Sequence, residues 1–412
     1  MSPFQLPLDI KSIEIVSQSV DTQGNYTLEV ESTAKGTHCK KCGKWTEKVY
    51  GFGDKITVRH LSVFDKAVYL KIHVIRYQCE SCEDGPKTSE KYDWMEQKSK
   101  TTKGLDAYIN RQLIHSTVAD VAKKERIPYR IVESALHKNT EKAVNWSEYE
   151  DLATIGIDEI ALRKGHNNYV VIVSAKNKYG DLSVIAVLPN RLKDTLTAFL
   201  ASIPDHLKKT VKSVCTDMYD GFVNAASEVF GSRAIVIDRY HVSKLYREPV
   251  DALRISEMKR LKKELDAKEY AKLEGMMWIL RRNHECLSKS DKATLELLYR
   301  YSPELKKAHK LALKLTHIFN THHTRKVASS KLNRWIAQVQ KSDVICFDGF
   351  IKTLKKYKTG ILNYFKERKN SGFVEGLNNK IKLLKRRCYG IEKVTTLFQR
   401  LVLDLMGYER FA

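Results

Sequence analysis

The stretch "ATIGIDEIALRKGHNNYVVIVSAKNKYGDLSVIAVL" (residues 153–188) decides how this chain is read. Three apolar runs rich in Val, Ile and Ala are separated by "RKGHNN" and by the turn former "NKYG". Runs of that length between Gly, Asn and Asp clusters read as consecutive strands. Downstream, "RLKDTLTAFLASI" (191–203) has helical periodicity and "VKSVCTD" (211–217) is a fourth strand. "DGFVNAASEVF" (220–230) is a second helix, and "RAIVIDRYHV" (233–242) is a last strand entering helical sequence. The order βββαβαβ is a meander followed by βα units. It predicts a mixed sheet with helices packed against it.

Three of these strands carry a carboxylate in or just after the apolar run: Asp158, Asp217 and Asp238. A carboxylate among buried strands is costly unless it is paired or bound to a metal. Several converging at one sheet end are hard oxygen ligands suited to Mg²⁺ or Mn²⁺. Two such ions can activate a water or a 3′-hydroxyl and stabilise the leaving oxygen of a phosphodiester. Taken singly, each Asp also fits a structural role as turn former or helix cap. Glu159 competes with Asp158, but period two groups Glu159 with Ile155 and Ile157, and Asp158 with Gly156, which favours Asp158. The element order is that of the ribonuclease-H-like fold.

Near the C-terminus, "NSGFVEGLNNKIKLLKRRCYG" (370–390) holds one acid, Glu375, followed by Lys380, Lys382, Lys385, Arg386 and Arg387. At 100° per residue, Phe373, Leu377, Ile381, Leu384 and Cys388 fall on one side of a helix. Glu375, Asn379, Lys382 and Arg386 fall on the other. A metal ligand flanked by phosphate-contacting groups needs this arrangement. A solvated basic face with an incidental Glu gives the same wheel.

Residues 1–95 read as β-rich: "AVYLKIHVIRYQ" (67–78) alternates, with Val68, Leu70, Ile72 and Val74 on one face. "CKKC" (Cys39, Cys42) and "CESC" (Cys79, Cys82) are paired knuckles able to present four thiolates tetrahedrally to a structural Zn²⁺. With strand-like sequence between them, they predict a zinc ribbon. The second knuckle lacks the Gly that often follows the last Cys directly. Cys215, Cys286, Cys346 and Cys388 show no ligand spacing and read as packing residues.

"STVADVAKKERIPYRIVESALHKNTEKAV" (116–144) reads as two short amphipathic helices around "RIP". Ser116 or Thr117 caps the first, which turns Val118, Val121 and Ala122 inward; Ile131, Val132 and Leu136 form the apolar side of the second. As a helix-turn-helix, this places Arg126, Tyr129 and Arg130 near the exposed N-terminal part of a recognition helix, where base edges are met. A plain helical hairpin between domains is the alternative. From about 241 to 370 the pattern is almost wholly helical, and Trp278 is expected in its core.

The chain has 412 residues, with 72 Lys+Arg against 49 Asp+Glu, a formal charge of +23. That balance favours polyanionic partners. No apolar run approaches the ~20 residues of a spanning helix, so no membrane partner is expected. The opening "MSPFQLPLDIKS" lacks the pattern of a signal peptide. A cytoplasmic, nucleoid-associated protein is expected, with its cysteines serving as thiols or metal ligands rather than disulfides.

The segments "IGIDEIALRKGHNNYVVIV", "VCTDMYDGF", "VIDRYHVSKL" and "SGFVEGLNNKIKLLKRRCYGI", preceded by the paired knuckles and the two short helices, carry a resemblance. The chain resembles bacterial insertion-sequence DDE transposases of the ISL-three family over nearly its whole length. The resemblance implies a multidomain α+β protein: a zinc ribbon (1–95), a helix-turn-helix (96–150), a ribonuclease-H-like α/β catalytic core (151–241 and 369–412) and an all-helical insertion (242–368). It implies a catalytic triad of Asp158, Asp217 and Glu375 holding two Mg²⁺ or Mn²⁺ ions, with the "D-x-x-H" pair Asp238 and His241 beside it. Asn379, Lys382, Lys385, Arg386 and Arg387 are expected to contact DNA. The implied partners are the element's terminal inverted repeats and target DNA, bound by a dimer or higher oligomer. Two other readings fit the same residues: a DNA-binding regulator that no longer cuts, and a nuclease of the same fold without strand transfer.

Overall fold

The structure is a computed structural model that describes residues 8–162, 169–282, 284–368 and 372–411. The chain divides into two compact units. One comprises Met1–Lys142, Leu384–Tyr389 and Thr395–Ala412; the other comprises Ala143–Leu383 and Gly390–Val394.

The first unit begins with strands β1 (Ile13–Val20), β2 (Tyr26–Ser32), β3 (Thr37–His38), β4 (Trp45–Thr46), β5 (Val49–Val63), β6 (Lys66–Gln78) and β7 (Lys87–Ser89). The main sheet runs β1-β2-β6-β5, with β7 on β6, while β3 and β4 form a small hairpin. In β6, Val68, Leu70 and Ile72 are buried in the predicted alternation. The phase then changes, so that Tyr77 is buried at its far end, as is Cys79 just beyond the strand. Helices α1 (Lys103–Leu113), α2 (Val118–Lys124) and α3 (Tyr129–Asn139) follow. Thr117 caps α2, its hydroxyl accepting the Asp120 amide at 3.0 Å. Val121, Val132, Ala135 and Leu136 bury against Leu105, Ile109 and Leu113 of α1.

The second unit is built on β8 (Thr154–Ala161), β9 (Tyr169–Lys176), β10 (Leu182–Leu188), β11 (Ser213–Thr216) and β12 (Ile235–Ile237). The sheet order is β10-β9-β8-β11-β12. β8, β9 and β10 form an antiparallel meander, whereas β8, β11 and β12 run parallel. Helices α4 (Lys193–Ser202), α5 (Asp205–Lys208) and α6 (Asp220–Phe230) lie between the strands in sequence. Ile155, Ile157, Val171, Val173, Val214 and Ile235 are fully buried in the sheet. The predicted mixed sheet with packed helices is the one observed.

A long helical stretch follows: α7 (Arg239–Glu264), α8 (Ala267–Ala271), α9 (Met276–Arg281), α10 (Lys289–Tyr301), α11 (Pro303–Asn320), α12 (Arg325–Gln340), α13 (Asp348–Lys356) and α14 (Lys358–Glu367). Its interior centres on Trp335, edge-on to Phe347 and Phe350, with the indole N–H donating to Leu311 O at 2.8 Å. α14 returns to the sheet. At Gly360 an added Cβ would lie 2.7 Å from Ile237, and Asn363 Nδ2 donates to Ile235 O at 2.7 Å. Trp278 does not enter the core as expected. Its short helix buries Met276 and Ile279, one turn apart, which leaves Trp278 on the opposite side and 60% exposed. Cys286 is exposed as well, against the packing role expected of it, while Cys215 is buried and Cys346 and Cys388 are half-buried.

The chain ends in α15 (Gly372–Arg387) and α16 (Val394–Phe411). Residues 369–412 are expected together with the catalytic core, whereas α16 packs in the first unit. Leu403 joins the cluster of α1–α3, and Gly407 lies against Ile114 so closely that a Cβ would fall 2.8 Å away. The buried Arg400 guanidinium donates to Leu113 O at 3.0 Å and to Ser116 O at 2.5 Å. No helix among the described residues is long and apolar enough to cross a membrane.

His309 of α11 is buried, receives the Tyr299 hydroxyl on Nδ1 (2.7 Å) and faces the Leu280 carbonyl with Nε2 (3.2 Å). A carbonyl only accepts, so Nε2 carries the proton and the neutral ring is fully satisfied. Burial, with His284 nearby, pushes its pKa down to about 4. An unfolded chain takes up this proton below about pH 6.5, whereas the folded chain resists until about pH 4. Stability should therefore fall by on the order of 3 kcal/mol as pH drops through that window. Urea unfolding of native and His309→Gln protein at pH 7 and pH 4.5 checks this. The native protein should lose more stability than the variant, and parallel losses would refute it.

Candidate active site

The pairing of parallel strands brings the acids together. Cys215 of β11 pairs with Gly156 of β8, so Asp217 and Asp158, each two residues further on, emerge side by side. On the other side Thr216 pairs with Ile237, and the Asp238 amide donates to Thr216 O at 2.9 Å. Asp217 and Asp238 thus stand just beyond the C-terminal ends of β11 and β12, beside Asp158, which lies within the longer adjacent strand β8. Glu159, on the opposite face of β8, lies 3.5 Å from Arg191.

The setting makes Asp158 and Asp217 reluctant anions. Burial raises the pKa of Asp158, with Asp238 adding to the rise and the Glu159 amide, His241 and Asn378 opposing it. Burial pushes Asp217 up to about 6, with the charges of Asp158 and Glu159 adding and His241 opposing. His241 Nε2 lies 3.8 Å from Asp238 Oδ2. Asp238 Oδ1 meanwhile accepts the Tyr240 amide at 2.9 Å and so caps α7. The expected "D-x-x-H" pair is therefore part of this group, and Asp238 also has a structural task.

α15 lies over β8 because position 156 has no side chain. A Cβ there would fall 2.4 Å from Val374, 2.8 Å from Ser174 Oγ and 2.9 Å from Phe373. One turn beyond Val374, the buried Asn378 donates from Nδ2 to Asp158 Oδ2 at 2.5 Å. Glu375 sits between these two contacts in sequence and is exposed. The buried stripe is Val374, Leu377, Asn378, Ile381 and Leu384, which shares three members with the predicted one and is rotated from it by roughly 40° at 100° per residue. That rotation is why Asn378, rather than the exposed Asn379, reaches the acid. The i, i+4 spacing of Val374 and Asn378 was its available signal.

Lys382 and Arg386 are exposed and Lys385 is half-buried. Arg387 departs from the expected row of phosphate contacts. It pairs with Asp404, which also lies 3.6 Å from Arg400, so its charge is compensated within the first unit. In that unit Arg126, Tyr129 and Arg130 are exposed around the start of α3.

The four knuckle cysteines are the group, among the described residues, whose ligand atoms all lie within 4.8 Å of one another. The oxygens of Asp158, Asp217 and Glu375 are not drawn in so closely. Cys42 and Cys79 sulfurs are 3.6 Å apart, close to the ~3.8 Å edge of a tetrahedron with 2.3 Å Zn–S bonds. Amides of Cys42 and Lys41 pull the Cys39 thiol down to about 6, while the neighbouring thiols, Cys42 first, push Cys82 up to about 12. A lowered and a raised thiol within one cluster of four sulfurs fit a divalent cation. The first knuckle turns at Gly43 (φ +73°), directly after its last Cys; the second turns at Gly85 (φ +50°), whose amide donates to Cys82 O at 3.0 Å. The glycine missing after Cys82 is thus supplied three residues on.

Comparison with known proteins bears on the same elements. Residues 35–82 match the zinc-finger family of transposases IS204/IS1001/IS1096/IS1165, and residues 155–401 match the ISL3 DDE family, described as a transposase. The second match spans more than half of the chain. This chain belongs to the ISL3 family of DDE transposases. The transposase is 27% identical over 379 residues to the transposase for insertion sequence element IS1001 of Bordetella parapertussis, covering 92% of this chain and 91% of that one. It is 23% identical over 401 residues to the transposase for IS1557 of Mycobacterium tuberculosis, covering 90% and 86%. The Drosophila P element transposase strand transfer complex aligns with 74% of this chain and 93% of that chain at 13% identity and a TM-score of 0.40.

Two outcomes follow for this transposase. Gly156→Ala should overpack the β8–α15 contact, costing about 1–3 kcal/mol, and lower activity at least tenfold by displacing α15. Thermal melting and zinc content check it, since melting should fall while bound zinc stays unchanged. Cys79→Ser should lose the zinc, as metal analysis would read, and expose residues 1–142 to proteolysis; retained stoichiometric zinc would contradict the four-cysteine site.

Proposed function

We propose that the second unit is a ribonuclease-H-like catalytic core in which Asp158, Asp217 and Glu375 hold two Mg²⁺ or Mn²⁺ ions, and that the chain cuts the ends of its element and joins them to target DNA. The observation that carries this reading is the register of β8 and β11, which sets Asp158 beside Asp217 under a helix that carries Glu375. The donor set is all oxygen, as these cations require. When bound, the cations supply Lewis-acid activation of the attacking water or 3′-hydroxyl and stabilisation of the leaving oxygen.

The chain's own residues prepare that chemistry. Asn378 fixes one oxygen of Asp158. His241 places a ring nitrogen beside Asp238, where it balances the crowded acids. Lys382, Lys385 and Arg386, beyond Glu375 on α15, are proposed to contact phosphates. In the first unit, α2 and α3 act as a helix-turn-helix whose Arg126, Tyr129 and Arg130 read the terminal inverted repeats, with the zinc ribbon as a second contact. Joining two ends at one target makes a dimer or higher oligomer the working form.

Glu375→Gln keeps the shape of the side chain and removes its charge. It should abolish metal-dependent release of a 3′-hydroxyl at a labelled element end, while end binding in a mobility-shift assay stays within about twofold. Persistent cleavage would sink the triad. Mn²⁺ should raise the melting temperature of the native protein and leave that of an Asp158→Asn/Asp217→Asn double variant unmoved. Joined products with a second DNA separate strand transfer from simple cutting.

A further inference from the structure

Helix α7 starts immediately after Asp238 and extends for 26 residues. Tyr240, Lys244, Arg247, Val250 and Arg254 recur on it at three- and four-residue spacing and so share one face. That face forms a wall of a cavity of about 580 Å³, whose other walls come from Leu280–Arg282 and from α11. The cavity has two chemistries. Val250, Leu280 and Leu313 give it an apolar lining, while five cationic residues stand around it against two acids.

Most of those cations are held in place by partners. Arg254 and Arg281 both reach Asp251, at 2.7 and 2.6 Å, Arg282 pairs with Asp291 at 3.2 Å, and Lys244 lies 3.6 Å from Glu248. Arg247 differs: it is exposed and has no side-chain partner among the described residues. Its charge is left for a ligand. At the end nearest the acids, Tyr240 is 56% exposed and edge-on to His241. From Tyr240 to Arg254 the helix advances about 21 Å, enough for a few nucleotides.

We propose that this groove binds an unpaired DNA strand as it passes to or from the carboxylates. The inference rests on the reading of the second unit as a core that acts on DNA. A duplex keeps its base faces stacked inside, so an apolar lining contributes nothing to holding one. An unpaired strand brings phosphates for Arg247 and Lys244 and base faces for Tyr240 and the lining. A lone small anion would use the cations and leave the apolar wall wet.

The test uses the full chain without divalent metal and a short labelled oligo(dT), read by fluorescence anisotropy at several salt concentrations. Arg247→Glu and Tyr240→Ala should each weaken binding about tenfold or more. Lys352→Glu, which makes the same change of net charge on the exposed side of α13, should stay within about twofold. Equal loss in Arg247→Glu and Lys352→Glu would reduce the effect to the overall field and overturn the proposal. So would undiminished binding in Arg247→Glu, or an equal loss of affinity for a duplex of the same length. Duplex element ends are measured alongside with the native protein, for binding without metal and for cutting with Mn²⁺ added. If these are neither bound nor cut, the functional reading fails, whereas loss of oligo(dT) binding confined to the groove variants still upholds the groove.

Discussion

The close approach of α15 to β8 at Gly156 is the contact on which the arrangement of the site depends. Close packing tolerates no methyl there, because Val374 and Phe373 already occupy the volume. Helical spacing then carries the consequence one turn onward. With Val374 seated on Gly156, Asn378 is placed over Asp158, two residues along the strand on the same face. Glu375 is fixed between them. A single missing side chain therefore sets the distance, the rotation and the register of the helix at once.

The acids themselves are arranged by backbone pairing rather than by side-chain attraction. Like charges do not assemble spontaneously; the ladders of β8, β11 and β12 force them together. That work is returned by the apolar sheet, whose residues are buried with hardly any exposed surface. The raised pKa values of Asp158 and Asp217 register the resulting tension. Asp238 adds to it at Asp158, whereas His241 supplies a nearby group that favours the anions.

What the sequence made legible follows from how local each signal is. Strand period and turn residues identified β8 to β12, and two Cys-x-x-Cys knuckles marked a zinc site, because both patterns are complete within short segments. The family motif singled out Glu375. Asn378 was missed because a wheel of 100° steps does not resolve a rotation of less than one step when the apolar stripe is broad. Trp278 was misplaced because a six-residue helix offers too few positions to define a buried side. The partner of α16, and with it the capture of Arg387 by Asp404, belongs to tertiary packing that no periodicity encodes.

The charge of the chain and the charge of its site pull in opposite directions, and this constrains how the two ligands arrive. A net +23 draws a polyanion towards the surface from a distance. Within the sheet, however, a phosphate would meet Asp158, Asp217 and Asp238, of which Asp158 and Asp217 already resist ionisation. Cations there would neutralise the acids and present positive charge to the phosphate, so each ligand improves the site for the other. By linkage, that mutual benefit must appear with the same magnitude in both affinities. Basic residues away from the acids, such as Arg130 and Arg247, have no such dependence. As proposed DNA contacts they would act before any metal binds, so that capture of the strand would precede assembly of the reactive centre.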